Sequence, residues 1–224
     1  VSQRQVIYYE ALVRGPNGES AFSILEQVTD ELMYRFDQAC RIKAIELASE
    51  MGMRERLSIN FLPNAVYEPQ ACIQATLETA HRVGWPPKQL NFEITETERV
   101  NDRMHMRSII ESYREMGFTT SLDDFGNGYA NLDLLTDLRP DTLKIDRDLV
   151  MGCDSDKRRQ AILRSLVALA KTLGTQLIAE GVETREESRC LLALGIPMQQ
   201  GYYFSYPNLE ALAEIDDAKY DQRG

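Results

Sequence analysis

Apolar and polar positions along the chain alternate between two periods, one near two residues and one near 3.6. Short β-branched or aromatic runs predict strands at Val6–Arg14, Leu57–Leu62, Leu90–Glu96, Thr119–Phe125, Thr142–Asp146, Gln176–Val182 and Gln199–Ser205. Amphipathic stretches between them predict helices: two within Phe22–Met51, then Gln70–Val83, Arg103–Met116, Leu132–Leu138, Lys157–Leu173 and Arg185–Leu194. A last helix is expected at Leu209–Ile215. Gly52, Gly84, Gly117, Gly174 and Gly195 stand where a helix hands over to a strand. No Pro/Ser linker, charge block or internal repeat divides the sequence, so residues 1–224 read as one domain.

Strand–helix alternation of this kind implies an α/β fold with parallel strands and crossover helices. An open doubly wound sheet and a closed (β/α) barrel both satisfy the pattern. The turn Arg14-Gly15-Pro16-Asn17-Gly18 lacks the GxGxxG spacing of a dinucleotide-binding sheet. The length of 224 residues lies close to the ~250 typical of a (β/α) barrel. Seven expected strands leave such a barrel one short of eight.

Charge narrows the partners. Asp+Glu 35 against Lys+Arg 25 gives a formal net charge of −10, which disfavours a duplex-binding module needing clustered cations. No apolar run approaches the ~18 residues of a membrane span, and no basic-then-apolar leader opens the chain. A cytoplasmic domain is expected. The start at Val1 suggests excision from a larger regulatory protein, itself free to be membrane-anchored. Cys40, Cys72, Cys153 and Cys190 form no CxxC pair and read as idle thiols. Two isolated histidines, His81 and His105, make a His-rich metal cluster or a Ser-His-Asp triad improbable.

The chemistry gathers at the C-terminal ends of the strands. Glu10, Asn60, Glu93, Glu96, Asp123, Asp124, Lys144, Asp146, Glu180 and Glu183 stand at or near those ends, and Gln200 opens the seventh strand. In a parallel barrel these ends converge on one mouth, where active sites are built. Taken singly, a strand-end Asp reads as a helix N-cap or turn former. Taken together, carboxylates set among apolar neighbours would be costly to bury unpaired, and divalent cations resolve that conflict. Oxygen-only ligands favour Mg²⁺ or Mn²⁺ over zinc. Adjacent Asp123 and Asp124 let one carboxylate bridge two ions, as in-line phosphoryl displacement uses them.

Glu10-Ala11-Leu12-Val13-Arg14 resembles the opening motif of the EAL-domain family of cyclic di-GMP phosphodiesterases. Further blocks match in order: Ser58-Ile-Asn60-Phe-Leu-Pro63, Glu93-Ile-Thr-Glu96, Asp123-Asp-Phe-Gly-Asn-Gly-Tyr129, Lys144-Ile-Asp146, Glu180-Gly-Val-Glu-Thr184 and Gln200-Gly-Tyr202 leading to Phe204-Ser-Tyr-Pro207. The resemblance implies a modified TIM barrel that opens cyclic di-GMP to linear pGpG. It implies that Glu10, Asn60, Glu93 and Asp123 hold one Mg²⁺ or Mn²⁺, with Asp123 shared with a second ion that also involves Asp124. Ca²⁺ should fit the same oxygens and inhibit. Lys144 and Glu180 are expected on the hydrolytic water, Arg14 on substrate, Gln200 at the mouth either as support behind the ligands or as a substrate contact, and Glu96 as anchor of the loop after Asp123. Asp146 and Glu183 either act directly or support the fold. A homodimer through the region after the Asp123-Asp124 loop is the implied assembly.

Asn127, Ala130-Asn131 and Tyr206 depart from the family's usual residues without touching the expected ion ligands. The family's opening strand, ending in Gln-Pro-Ile, has no counterpart before Val6, which accounts for the missing eighth strand. Residues upstream in a parent protein are expected to supply it. A rival class is a cyclic di-GMP receptor or interaction domain that has lost ligands, but every ligand position is filled here. A metabolic barrel enzyme would require the matching blocks to be coincidental, and an HD-type phosphodiesterase lacks its histidines.

Overall fold

A computed structural model describes residues 1, 3–62, 66, 69–95, 103–127 and 132–220. Seven strands form one sheet in sequential order: β1 Tyr8–Ala11, β2 Arg56–Asn60, β3 Leu90–Thr95, β4 Thr119–Phe125, β5 Thr142–Ile145, β6 Gln176–Ala179 and β7 Met198–Gln199. Each neighbouring pair is parallel. The crossovers are helical: α1 Ala21–Leu25, α2 Asp30–Glu50, α3 Pro69–Arg82, α4 Arg103–Glu115, α5 Leu132–Leu138, α6 Arg147–Val150, α7 Lys157–Leu173 and α8 Arg185–Leu194. This is a modified TIM barrel, with no ladder between β1 and β7 among the described residues. Across that seam the Val1 ammonium donates to the Pro197 carbonyl at 2.7 Å. A cavity of about 460 Å³ lies there, lined by Ile7, Arg56, Leu177 and Met198 among others.

Period-two alternation explains why the sheet carries chemistry on one face only. Leu57, Ile59, Leu90, Phe92, Ile94, Leu122, Leu143 and Ala179 are buried and belong to the hydrophobic core. Phe92 packs against Phe61, Tyr113 of α4 and Phe118, with centroids 4.9–5.8 Å apart. The alternate positions, which include Ser58, Asn91, Glu93, Ser121, Asp123 and Lys144, bond one another across the interior.

The periodicity places most elements within a residue or two, and α7, α8, α5 and β4 have the expected bounds. Gly174 and Gly195 close α7 and α8 as left-handed caps, and a Thr184/Glu187 capping box opens α8. Two expectations fail. The seventh strand ends at Gln199, because Gly201 turns the chain under Val182. A Cβ on Gly201 would meet the Val182 backbone at 2.2 Å, so only glycine permits the turn. The helix expected at Leu209–Ile215 is absent. Asn208 and Ala211 form an isolated antiparallel bridge there, and a 3₁₀ turn follows at Asp217–Tyr220. The Asp216 carboxylate accepts the Ala218 N–H at 2.9 Å, drawing the helical start past the apolar run.

Candidate metal centre

The strand register builds the centre. Glu10 pairs with Ser58, Asn60 with Glu93, Thr95 with Asp123, and Lys144 with Ile178. The C-terminal ends of β1–β6 thus project Glu10, Asn60, Glu93, Asp123, Lys144 and Glu180 toward one point. At that point lies the Lys144 ammonium, its side chain 1% exposed. It pairs with Glu93 Oε2 at 2.6 Å, Glu180 Oε1 at 2.9 Å, Asp123 Oδ2 at 3.1 Å and Glu10 Oε2 at 3.3 Å.

One ammonium cannot balance four carboxylates in a buried site. Burial raises the Glu93 pKa to about 8, helped by Glu10 and Asp123 and opposed by Lys144. Burial, with Asp123, likewise holds Glu180 well above the carboxylate range against the pull of Lys144. Burial and then Asp123 and Asp146 raise Asp124 to about 6. For Lys144 burial acts downward, but its carboxylate neighbours overcome it and raise the ammonium well above an ordinary lysine. Lys144 is therefore a fixed cation at neutral pH, able to donate and unable to act as a base.

The donor geometry meets what a divalent ion needs. Glu10, Glu93 and Asp123 can each bring a carboxylate oxygen within 4.8 Å of the others, and Asp123, Asp124 and Glu180 form a second such group. Asp123 belongs to both. Asn60 Nδ2 donates to Glu10 Oε1 at 2.9 Å, fixing its amide and leaving the carbonyl oxygen for the ion. The register of β4 shifts between Leu122 and Phe125, and Asp124 takes a positive φ of 55°. That irregularity brings two consecutive carboxylates to the same mouth, where a regular strand would send them to opposite faces. The Asp124 N–H in turn donates to Asp123 Oδ1 at 2.8 Å.

The remaining expected residues lie around this cluster. Gln200 is exposed and donates to Glu10 Oε2 at 2.8 Å, so it braces the Glu10 carboxylate across the seam. Arg14 is exposed at the rim, its guanidinium touching only the Val13 carbonyl at 2.7 Å among the hydrogen bonds described. Asp146 caps α6 by accepting the Asp148 N–H at 2.7 Å, and its charge reaches Asp124. Glu183 pairs with Arg147 at 2.7 Å on the surface, away from Lys144. Glu96 and residues 128–131 lie outside the described residues.

Sequence reasoning missed three features of the site. Glu180, read as a proton acceptor, also completes the second carboxylate group. Glu187 escaped notice, although its buried carboxylate accepts the N–H groups of Gly152, Glu183 and Thr184 and ties together the loops after β5 and β6. The polar layer of Ser58, Asn91 and Ser121 beneath the carboxylates was missed as well. Its signal was present: each of these residues stands two positions before an expected ligand, hence on the same strand face.

Comparison with known proteins follows the same outline. The sequence profile of the EAL domain matches residues 1–207. A standalone versatile EAL protein from Vibrio cholerae O395, solved in its c-di-GMP-bound form, superposes with a TM-score of 0.93 at 44% identity, covering 97% of this chain and 92% of that one. Klebsiella pneumoniae BlrP1, solved as a manganese/cyclic-diGMP complex, gives a TM-score of 0.89 at 35% identity over 95% of this chain and 55% of that one. Among curated sequences, the cyclic di-GMP phosphodiesterase RocR of Pseudomonas aeruginosa is 38% identical over 71% of this chain and 40% of its own length. The chain spans 53% of BluF from Escherichia coli and smaller shares of other curated relatives.

Proposed function

The chain belongs to the EAL domain family, and on that premise we propose that it is a metal-dependent phosphodiesterase that hydrolyses cyclic di-GMP to linear pGpG. The observation that carries this reading is the convergence of two carboxylate groups that share Asp123 around a buried lysine. Glu10, Asn60, Glu93 and Asp123 would hold one Mg²⁺ or Mn²⁺, and Asp123, Asp124 and Glu180 a second. When bound, these ions relieve charge on the phosphodiester oxygens and activate the attacking water.

The chain's own groups do the rest. Lys144, permanently charged, orients the water by donation. Glu180, beside it at 2.9 Å, would lose its own proton when ions occupy the centre and would then take the water's proton as the new P–O bond forms. The P–O3′ bond breaks, and the leaving 3′-oxygen takes its proton from solvent water. Arg14 offers a planar fork to a phosphate or a guanine at the rim. Gln200 keeps Glu10 in place while the substrate enters. The same carboxylates would also accept Ca²⁺, whose preference for longer bonds and looser geometry would make it an inhibitor.

The assembly proposed is a homodimer through the region after the Asp123-Asp124 loop. The 57% exposure of Leu132 at the start of α5 supports an apolar contact there. No helix among the described residues is long and apolar enough to cross a membrane, and we place the chain in the cytoplasm as a single EAL domain of a larger protein. Chromatography of cyclic di-GMP incubated with the chain and Mg²⁺ or Mn²⁺ tests the activity. Linear pGpG as the product, formed far more slowly by the Lys144→Ala chain, is expected; cyclic di-GMP recovered intact with every metal would contradict it.

A further inference from the structure

Beneath the carboxylates the interior stays polar. Ser58, Asn91 and Ser121, from β2, β3 and β4, are each 1–2% exposed. Asn91 Nδ2 donates to Ser58 Oγ at 2.6 Å and to Ser121 Oγ at 2.8 Å, using both its hydrogens. The Ser58 hydroxyl has one proton. Because its oxygen accepts from Asn91, that proton goes to Glu93 Oε1, with which Ser58 is hydrogen-bonded. Glu93 Oε2 receives the Lys144 ammonium at 2.6 Å. Both oxygens of this one carboxylate are thus addressed, one from below and one from the side.

We infer that Ser58 and Asn91 are positioning residues for the metal centre: the directed relay Asn91→Ser58→Glu93 fixes the plane of the Glu93 carboxylate. The inference rests on the proposed reading of that centre. With Glu93 deprotonated, as holding an ion requires, the relay has only one sense: the carboxylate accepts and the amide N–H donates, so Ser58 cannot turn its proton elsewhere without losing a bond. Apolar residues at these positions would leave Glu93 to rotate toward Lys144 alone. Buried polar groups are costly unless satisfied, and their use below a ligand layer has a purpose that packing would not supply. Outer partners of this sort set metal affinity, typically by tenfold or more.

The test is calorimetric titration of Mn²⁺ into metal-stripped protein, with melting temperatures taken in chelator alongside. Ser58→Ala should weaken binding about tenfold, whereas Ser58→Thr, which keeps the hydroxyl, should stay within about threefold of wild type. Asn91→Leu should weaken binding in the wild-type background and add nothing in the Ser58→Ala background, because it acts through Ser58. Unchanged affinity in Ser58→Ala, equal losses in Ser58→Ala and Ser58→Thr, or additive losses in the double variant would each overturn the relay. Wild-type protein that binds no Mn²⁺ would instead overturn the metal-centre reading on which it stands.

Discussion

Lys144 is the residue on which the centre turns. Its ammonium holds together carboxylates that would otherwise repel, and in the proposed reaction it would face the attacking water. Lys144→Ala should lower turnover by about 10²–10⁴-fold while cyclic di-GMP still binds, read from kcat against the dissociation constant. Arg14, which touches none of the carboxylates, should behave oppositely: Arg14→Ala raises KM and leaves kcat close to wild type. The raised carboxylates give a pH signature. Glu93, near 8 when folded, and Asp124, near 6, bind their protons more tightly folded than unfolded. Their contribution to stability is complete below the ordinary carboxylate pKa and is lost as pH rises through those values. The metal-stripped chain should therefore melt at progressively lower temperature between pH 5 and pH 8. Saturating Mn²⁺ should restore more at pH 8 than at pH 6, since ligands must be deprotonated to bind. A melting temperature of the stripped chain that rises over this range would contradict the arrangement.

At the scale of elements, the loops after β5 and β6 depend on Glu187. Its pKa lies below the ordinary value because the N–H groups of Gly152, Glu183 and Thr184 overcome the effect of burial. The stability it contributes is present above the unfolded carboxylate pKa and is lost as pH falls through the lower folded value. Glu187→Ala should cost roughly 1–3 kcal/mol in urea unfolding and should loosen the segment that carries Glu180. The elements also mark how far sequence can be read. Periodicity and caps located α7, α8 and β4 because each segment's local signal agrees with its tertiary place. Leu209–Ile215 misled because its apolar residues pack against the core, as Leu212 and Ile215 do, without helical hydrogen bonds. The carboxylate cluster was legible because each of its residues stands at or near a strand end in a recognisable block. Ser58 and Asn91 were not singled out, since a serine and an asparagine inside strands look like polar surface until register turns them inward. Glu187 passed as one more acid in a helix's first turn.

For the whole molecule, barrel closure and charge set the working conditions. The formal charge of −10 would oppose the proposed dianionic substrate at long range, and the remedy would be local, since ions held at the mouth would offset the carboxylates there. Sedimentation should show a dimer that Leu132→Glu weakens, because that substitution places a charge on the exposed apolar start of α5; an unchanged dimer constant would remove α5 from the interface. The central claim, that acidic strand ends become catalytic only around divalent ions, is tested most directly by the rate of pGpG formation as Mn²⁺ is returned to metal-stripped protein. The account predicts no turnover before addition and a rise that follows occupancy of the carboxylate centre, abolished in Asp123→Asn. Full turnover after exhaustive chelation would contradict it.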